Sequence, residues 1–242
     1  MKDLHSHLLY GIDDGSRSID ESIELLKKME KSGIKELMLT PHYVEDSKYN
    51  CNNNDKMKIF NELKEKAKEE NINIKLYLGN EVFITNNFIK LLKHDEITTL
   101  NNSKYLLFEL PMRQKYNNTH NITNELTSKG YIPILAHPER YEAFQKHPNL
   151  LKDYIRAGIL LQGNFTSLFG KYGRGAEKTL KYLLKNKWIS FLGSDTHHDV
   201  KFDSKKLEKK LLRITKDKDY VLDLMENNFD KVVSNIDIGM LR

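Results

Sequence analysis

MKDLHSHLLYGIDDG, residues 1–15, is the stretch from which the rest of the chain is read. His5 and His7 stand two apart after a short apolar start. On an extended strand that spacing turns both imidazoles to one side, where they can grip one metal ion. Asp13, Asp14 and Gly15 follow at once: a carboxylate there can reach back to the same pocket, and Gly15 permits the tight turn this requires. H-x-H alone is better explained as a satisfied surface pair. The metal reading gains ground because His, Asp and Glu recur along the chain, each at the end of an apolar run.

Outward from this stretch, apolar runs and helical stripes alternate. Residues 36–40, 74–78, 105–108, 132–136, 159–162 and 189–193 read as buried strands, and with the N-terminal strand they make seven. Between them, Ser18 and Glu21 form a capping box opening a helix that ends near Gly33, and Asp55 opens a second helix. Further helices are expected over 86–94, 119–129, 148–157, 176–186, 204–215 and 220–227. No composition break marks a linker, so the expectation is one domain over residues 1–242. Alternating β and α units imply a parallel sheet covered by helices. Seven units can close as a barrel or stay open as a doubly wound sheet, and strand count does not decide. The polar residues favour the barrel: His5, His7, His42, Glu81, Glu109, His137, Asp195 and His197 all fall at C-terminal strand ends, where α/β barrels collect reactive groups.

Composition excludes several classes. Lys plus Arg exceeds Asp plus Glu by 39 − 34 = 5, spread along the chain rather than gathered into a phosphate track, so no nucleic-acid partner is expected. The densest basic run, KKLEKK at 205–210, has the spacing of a solvated helix face. Cys51 is the sole cysteine, which rules out an intramolecular disulfide and suits a reducing compartment. No apolar run approaches the roughly 18 residues of a spanning helix and no signal h-region opens the chain, so a cytoplasmic protein without membrane insertion is expected. The oligomeric state is left open.

With Asp14, the candidate ligands number nine, too many for one ion, since a catalytic site uses about three protein ligands and an open position. Two or three divalent ions are implied. Imidazole and carboxylate without thiolate suit zinc, manganese or iron alike. Glu81 is the candidate bridge between ions about 3.5 to 4 Å apart, and such a cluster fits phosphoester hydrolysis. Arg140, in AHPER, can hold a phosphate bidentately; a salt bridge with Glu139 or Glu142 explains it equally well. Glu109 directly follows apolar residues, where an unpaired carboxylate is costly, so a ligand role is expected. Asp3 fits either support of a ligand histidine or a strand start. His94, His120, His147 and His198 fall outside the pattern, and Arg17, Arg113 and Arg174 read as solvated. Cys51 lacks the arginine of a C-x-x-x-x-x-R phosphatase loop and reads as an ordinary loop residue.

DLHSHLLYGIDDG, TPHY, GNEV, FELP, AHPER and GSDTH, in this order, resemble the PHP superfamily of polymerase and histidinol phosphatase domains. Within it, IDDG, AHPER and NFTSLFGKYG are most similar to the bacterial tyrosine-protein phosphatases of capsule and exopolysaccharide biosynthesis, the CpsB and YwqE type. The resemblance covers nearly the whole chain. It implies an α/β fold, a distorted seven-stranded (β/α)7 TIM-like barrel, with three ions at its mouth. His5, His7, Glu81 and Asp195 would hold one ion, Glu81, Glu109 and His137 a second, and Asp14, His42 and His197 the third, with manganese the expected metal. Arg140 would bind the substrate phosphate while a metal-activated hydroxide attacks phosphorus. The implied substrate is a phosphotyrosine protein, the tail of a bacterial autokinase that controls polysaccharide synthesis and export. A small phosphoester such as histidinol phosphate is the alternative, disfavoured because a histidinol phosphatase usually carries histidine where Asp14 stands. Tyr10, Gly163 and the Asn228-Phe229 pair depart from the branch pattern without removing a ligand or Arg140.

Overall fold

A computed structural model describes residues 1–113 and 119–239. Among these residues nine short strands run parallel in two ladders. Strands β1 (Lys2–Asp3), β2 (Glu36–Leu39) and β4 (Lys75–Leu78) form one, in the order β1-β2-β4. The other follows the order β3-β5-β6-β7-β8-β9, with β3 (His42–Tyr43), β5 (Glu81–Phe83), β6 (Tyr105–Glu109), β7 (Ile132–Ala136), β8 (Leu160–Asn164) and β9 (Phe191–Gly193). The count exceeds the expected seven because β3 follows β2, and β5 follows β4, after breaks of only two residues, Thr40-Pro41 and Gly79-Asn80. Pro41 has no N–H to give a ladder, and at the second break Gly79 N bonds Leu39 O at 2.9 Å while Glu81 N bonds Pro41 O at 3.1 Å. Leu4 N to Leu192 O at 3.1 Å and His7 N to Thr196 O at 2.8 Å tie the first strand to the last, so the sheet is strongly curled.

Period-two alternation sorts the side chains. Tyr105 and Leu107 of β6 join Leu4, Met38, Ile134, Ala136 and Phe191 in an inner core. Leu106 and Phe108 face outward into the larger core shared with the helices. Continued one step, the inner row of β6 delivers Glu109 to the C-terminal end of the sheet, where a polar residue meets other polar residues rather than the core.

Helices cover the outside: α1 (Ile19–Lys31), α2 (Asn53–Glu69), α3 (Phe88–Lys93), α4 (Thr119–Ser128), α5 (Glu142–Lys146), α6 (Leu151–Arg156), α7 (Gly173–Lys185), α8 (Ser204–Thr215), α9 (Lys218–Leu222) and α10 (Asn228–Val233). Ser18 caps α1 by accepting from Glu21 N at 3.2 Å, but Glu21 returns its carboxylate to Arg17 N, one residue before the cap. On α8, Leu207 and Leu211 are buried while most of the lysines of KKLEKK face out, as the spacing predicts. The helix expected over 148–157 is a 3-10 turn followed by α6. The one expected over 220–227 starts earlier and runs through a π-helical turn into α10. Phe229, of the departing Asn228-Phe229 pair, buries its ring edge-on to Tyr77 at 5.5 Å. Gly163, the other core departure, has a packing reason: a Cβ there would lie 2.6 Å from Leu180 Cδ1 of α7. No helix among the described residues is long and apolar enough to cross a membrane.

Candidate metal centre

His5 and His7 leave β1 side by side, their Nε2 atoms 3.0 Å apart. The turn that follows folds back on them. Gly15 lies so close to the His7 carbonyl that a Cβ would approach its oxygen to 2.0 Å, and Ser16 N bonds that carbonyl at 3.0 Å. No residue but glycine fits. This return brings Asp13 Oδ2 to 2.7 Å from His7 Nδ1 and 2.9 Å from His42 N, which fixes the His7 ring so that Nε2 faces the site. On the other side, Gln162 Oε1 accepts from His5 Nδ1 at 2.8 Å and does the same for His5.

Glu81 sits in the middle, fully buried. Its Oε2 is 3.1 Å from His5 Nε2, 3.3 Å from His7 Nε2 and 3.1 Å from His42 Nδ1, and its Oε1 is 2.7 Å from His137 Nε2. Glu109 reaches His42 at 3.4 Å and His137 at 3.9 Å. Asp14 lies 3.6 Å from His42 and 3.5 Å from His197. Asp195 Oδ1 lies 3.4 Å from His7 and 3.5 Å from His197. The structure thus brings all nine sequence candidates to one mouth. Three overlapping groups have donor atoms within 4.8 Å of one another: His5, His7 and Glu81; His42, Glu81 and Glu109; and His7, Asp14, His42 and His197. His7 and His42 therefore each serve two groups, a sharing that the spacing of the motifs did not reveal.

The donor chemistry fits divalent ions. Glu81 Oε2 and His42 Nδ1, 3.1 Å apart, are both buried and neither makes a hydrogen bond. Two such atoms misaligned with each other have the arrangement of ligands to a shared third body. The facing Nε2 atoms of His5 and His7 can share one proton at most, and five carboxylates, Asp13, Asp14, Glu81, Glu109 and Asp195, meet Arg140 and Lys171 as fixed cations. Burial pushes the Glu81 carboxyl up, but the charges of His5 and His42 and the hydrogen bond from His137 outweigh it and hold it well below the usual range. Burial and then the Glu81 charge push Glu109 well above its ordinary value. Burial and the Arg140 charge pull His137 down to about 4, which keeps its imidazole neutral, the form that ligates metals. His137 (φ +36°) and Asp195 (φ +51°) both lie in left-handed backbone, strain of the kind found at functional sites.

Arg140 lies at the rim, its Nη1 2.5 Å from Asp195 Oδ2. Of its expected alternatives, Glu139 is turned inward to Asn164 N at 3.0 Å and Ser167 Oγ at 2.8 Å, and Glu142 faces Arg113 at 3.8 Å. Asp3 holds backbone rather than an imidazole: its Oδ1 accepts from His5 N at 3.1 Å and Ser194 N at 2.9 Å. His120 lies tilted against the Tyr154 ring and His198 binds Glu21, both outside the cluster. Sequence reading missed Gln162, Asn164, Lys171 and Tyr172. The two amides, alternating at the end of an apolar strand, were a signal; Lys171 and Tyr172 stand in the NFTSLFGKYG motif, which was read as a family mark and given no site role.

Several known proteins share this arrangement of chain. It is 37% identical over 198 residues to CapC of Staphylococcus aureus, covering 81% of this chain and 77% of CapC. Tyrosine-protein phosphatase YwqE of Bacillus subtilis is 29% identical over 198 residues, 82% of this chain and 78% of YwqE. The fold superposes with a TM-score of 0.88, at 26% identity and with 100% and 97% of the chains covered, on a crystal structure from the study of YwqE of Bacillus subtilis and CpsB of Streptococcus pneumoniae, described there as metal-dependent tyrosine phosphatases. A phosphotriesterase homology protein of Escherichia coli shares only the fold, at TM-score 0.58 and 10% identity over 96% and 98% of the chains. Residues 1–234 match the CpsB/CapC family model of capsular polysaccharide synthesis, and the chain belongs to that family.

Proposed function

We propose that this protein is a metal-dependent protein-tyrosine phosphatase, a phosphoric monoester hydrolase whose mouth residues hold two or three divalent ions, manganese first and iron or zinc as alternatives. The observation that carries the reading is Glu81: one buried carboxylate within 3.3 Å of the nitrogens of His5, His7, His42 and His137. In this reading His5, His7, Glu81 and Asp195 hold one ion, Glu81, Glu109 and His137 a second, and Asp14, His42 and His197 a third. The sharing of His7 and His42 supports a tight cluster over three separate sites. The curled sheet is then a distorted (β/α)7 barrel of one catalytic domain, with β2 and β3, and β4 and β5, each counted as one broken strand.

When bound, the ions supply an acidified water and positive charge against the phosphoryl oxygens. The chain's own residues do the rest. Arg140 turns from Asp195 to grip the substrate phosphate, where a planar fork matches two oxygens. Asp13 and Gln162 hold the His7 and His5 rings in ligating orientation. The buried walls keep the dielectric low, so each of these charges counts for more than it would in water.

The substrate in this reading is phosphotyrosine on a bacterial tyrosine autokinase of polysaccharide export, met in the cytoplasm. Support comes from the relatives named tyrosine-protein phosphatases and from the capsular polysaccharide family. The test is hydrolysis of a phosphotyrosine peptide, with histidinol phosphate alongside, before and after EDTA, after Mn²⁺ is returned, and with Arg140→Ala. Peptide turnover that chelation abolishes, Mn²⁺ restores and Arg140→Ala lowers by about 10²-fold or more is expected. A metal-loaded protein that ignores the peptide overturns the reading, and preference for histidinol phosphate replaces it with the small-phosphoester one.

A further inference from the structure

We propose that Tyr172 is a positioning residue for the reaction, holding Asp195 through its hydroxyl and Arg140 through its ring. The inference rests on the reading of Asp195 as a ligand and Arg140 as the phosphate grip. Tyr172 lies in the turn between Gly170 (φ +85°) and Gly173 (φ +83°), just before α7. Its hydroxyl donates to Asp195 Oδ2 at 2.8 Å, and the Arg140 guanidinium carbon stands 4.4 Å from its ring centroid.

The two oxygens of Asp195 are divided between two tasks. Oδ1 faces the imidazoles of His7 at 3.4 Å, His197 at 3.5 Å and His5 at 3.8 Å. Oδ2 accepts from three donors, Arg140 Nη1 at 2.5 Å, Asn164 Nδ2 at 2.8 Å and Tyr172 Oη at 2.8 Å. A carboxylate oxygen offers about two lone-pair positions, so this one is over-subscribed. A guanidinium that engages a phosphate must give up or share its bond to Asp195. With Tyr172 and Asn164 in place, Oδ2 keeps two donors when Arg140 turns away, and Oδ1 stays aimed at the ions. The Tyr172 ring meanwhile gives the guanidinium a face to lie on as its edge swings toward substrate. Lys171 Nζ, bonded to the Asp195 carbonyl at 3.0 Å, holds the main chain of the same residue. Tyr172 and Arg140 also line one surface depression, together with Met112, Arg113, Glu142 and Gln145.

Tyr172→Phe and Tyr172→Leu separate the two duties. Mn²⁺ affinity is measured by calorimetry on the full-length protein, kinetics on a phosphotyrosine peptide, and folding by thermal unfolding. Tyr172→Phe loses only the hydroxyl: it should bind Mn²⁺ about 10-fold more weakly and lose kcat, with KM unchanged. Tyr172→Leu should add a rise in KM of about 2- to 5-fold, the loss of the ring face. Variants that unfold with the wild type and match it in Mn²⁺ affinity, kcat and KM overturn the proposal. So does an equal loss in all three parameters by both variants, which marks a general structural role. A wild type inactive on the peptide, with Mn²⁺ affinity still weakened in Tyr172→Phe, sinks the tyrosine phosphatase reading and leaves the hold on Asp195 standing.

Discussion

The two ends of the curled sheet treat charge in opposite ways. At the N-terminal ends of the strands, the charged groups that come together find opposite partners. Lys2 sits between Glu36, at 2.8 Å, and Asp230; Tyr77 donates to Glu36 at 2.5 Å; the N-terminal ammonium meets Glu226 at 2.7 Å; and Lys104 meets Asp237 at 2.6 Å. At the C-terminal ends, imidazole nitrogens face one another, Glu81 Oε2 makes no hydrogen bond and carboxylates outnumber the fixed cations. Even the buried cation nearby lacks a carboxylate: Lys56 of α2 is fully enclosed and donates to the amide oxygen of Asn80, which in turn braces Pro41 O at 3.0 Å. One end is complete as folded. The other leaves buried donor atoms without hydrogen-bond partners, the atoms that bound cations would satisfy in the metal reading, and this separates a floor from a reaction site in this fold.

The sharpest way to break this contrast is Glu81→Gln. If the mouth is organised around a shared carboxylate, loss of its charge should lower Mn²⁺-dependent phosphotyrosine hydrolysis by about 10³-fold, the several kcal/mol a metal cluster contributes. Near-normal turnover in that variant would mean the mouth is not a metal site. Asp13→Asn comes next. It leaves the ligand count intact but frees the His7 ring, and a 10- to 100-fold weaker Mn²⁺ affinity is expected in a direct titration.

Lys56 tests the mouth side without touching a ligand. Burial pulls its ammonium from 10.5 down to about 7. Above pH 7 the folded protein has therefore released a proton that the unfolded chain keeps up to about 10.5, so unfolding takes one up and stability rises with pH across that window. The slope from one group is at most about 1.4 kcal/mol per pH unit. Urea unfolding of wild type and Lys56→Met between pH 6.5 and 9 should diverge in slope by that sign, the variant being flatter; parallel profiles would refute the buried, unpaired lysine. The smallest effect belongs to the floor. Lys2→Met removes a partly buried cation from two carboxylates and should cost about 1 kcal/mol, or 2 to 4 °C in Tm, with kcat unchanged. A fall in activity there would erase the distinction between the ends.

How much of this was legible beforehand differs by element. β7 was readable to the residue from ILA after a proline, and α8 from Leu207 and Leu211 in a lysine-rich run. The 3-10 turn into α7 and the continuation of the last helix beyond 227 were not, because neither a 3-10 turn nor a π-helical turn keeps the apolar period of an α-helix. Strands β3 and β5 were hidden for another reason: the apolar runs stop at Thr40 and Leu78, and the short segments beyond them become strands only by pairing with each other, His42 against Glu81.

The sequence by itself determined the alternating β/α plan, the polar residues at strand ends and the type of donor each offers, since these follow from period, turn chemistry and residue identity. Tertiary structure decided which donors meet. Residues from 5 to 197 converge only because the curled sheet returns its last strand to its first, and it is this closure that sets His7 and His42 between groups, Gln162 and Asp13 behind the rings, and Tyr172 beneath Arg140 and Asp195. Local pattern carries no record of contacts between residues so far apart along the chain; packing supplies it.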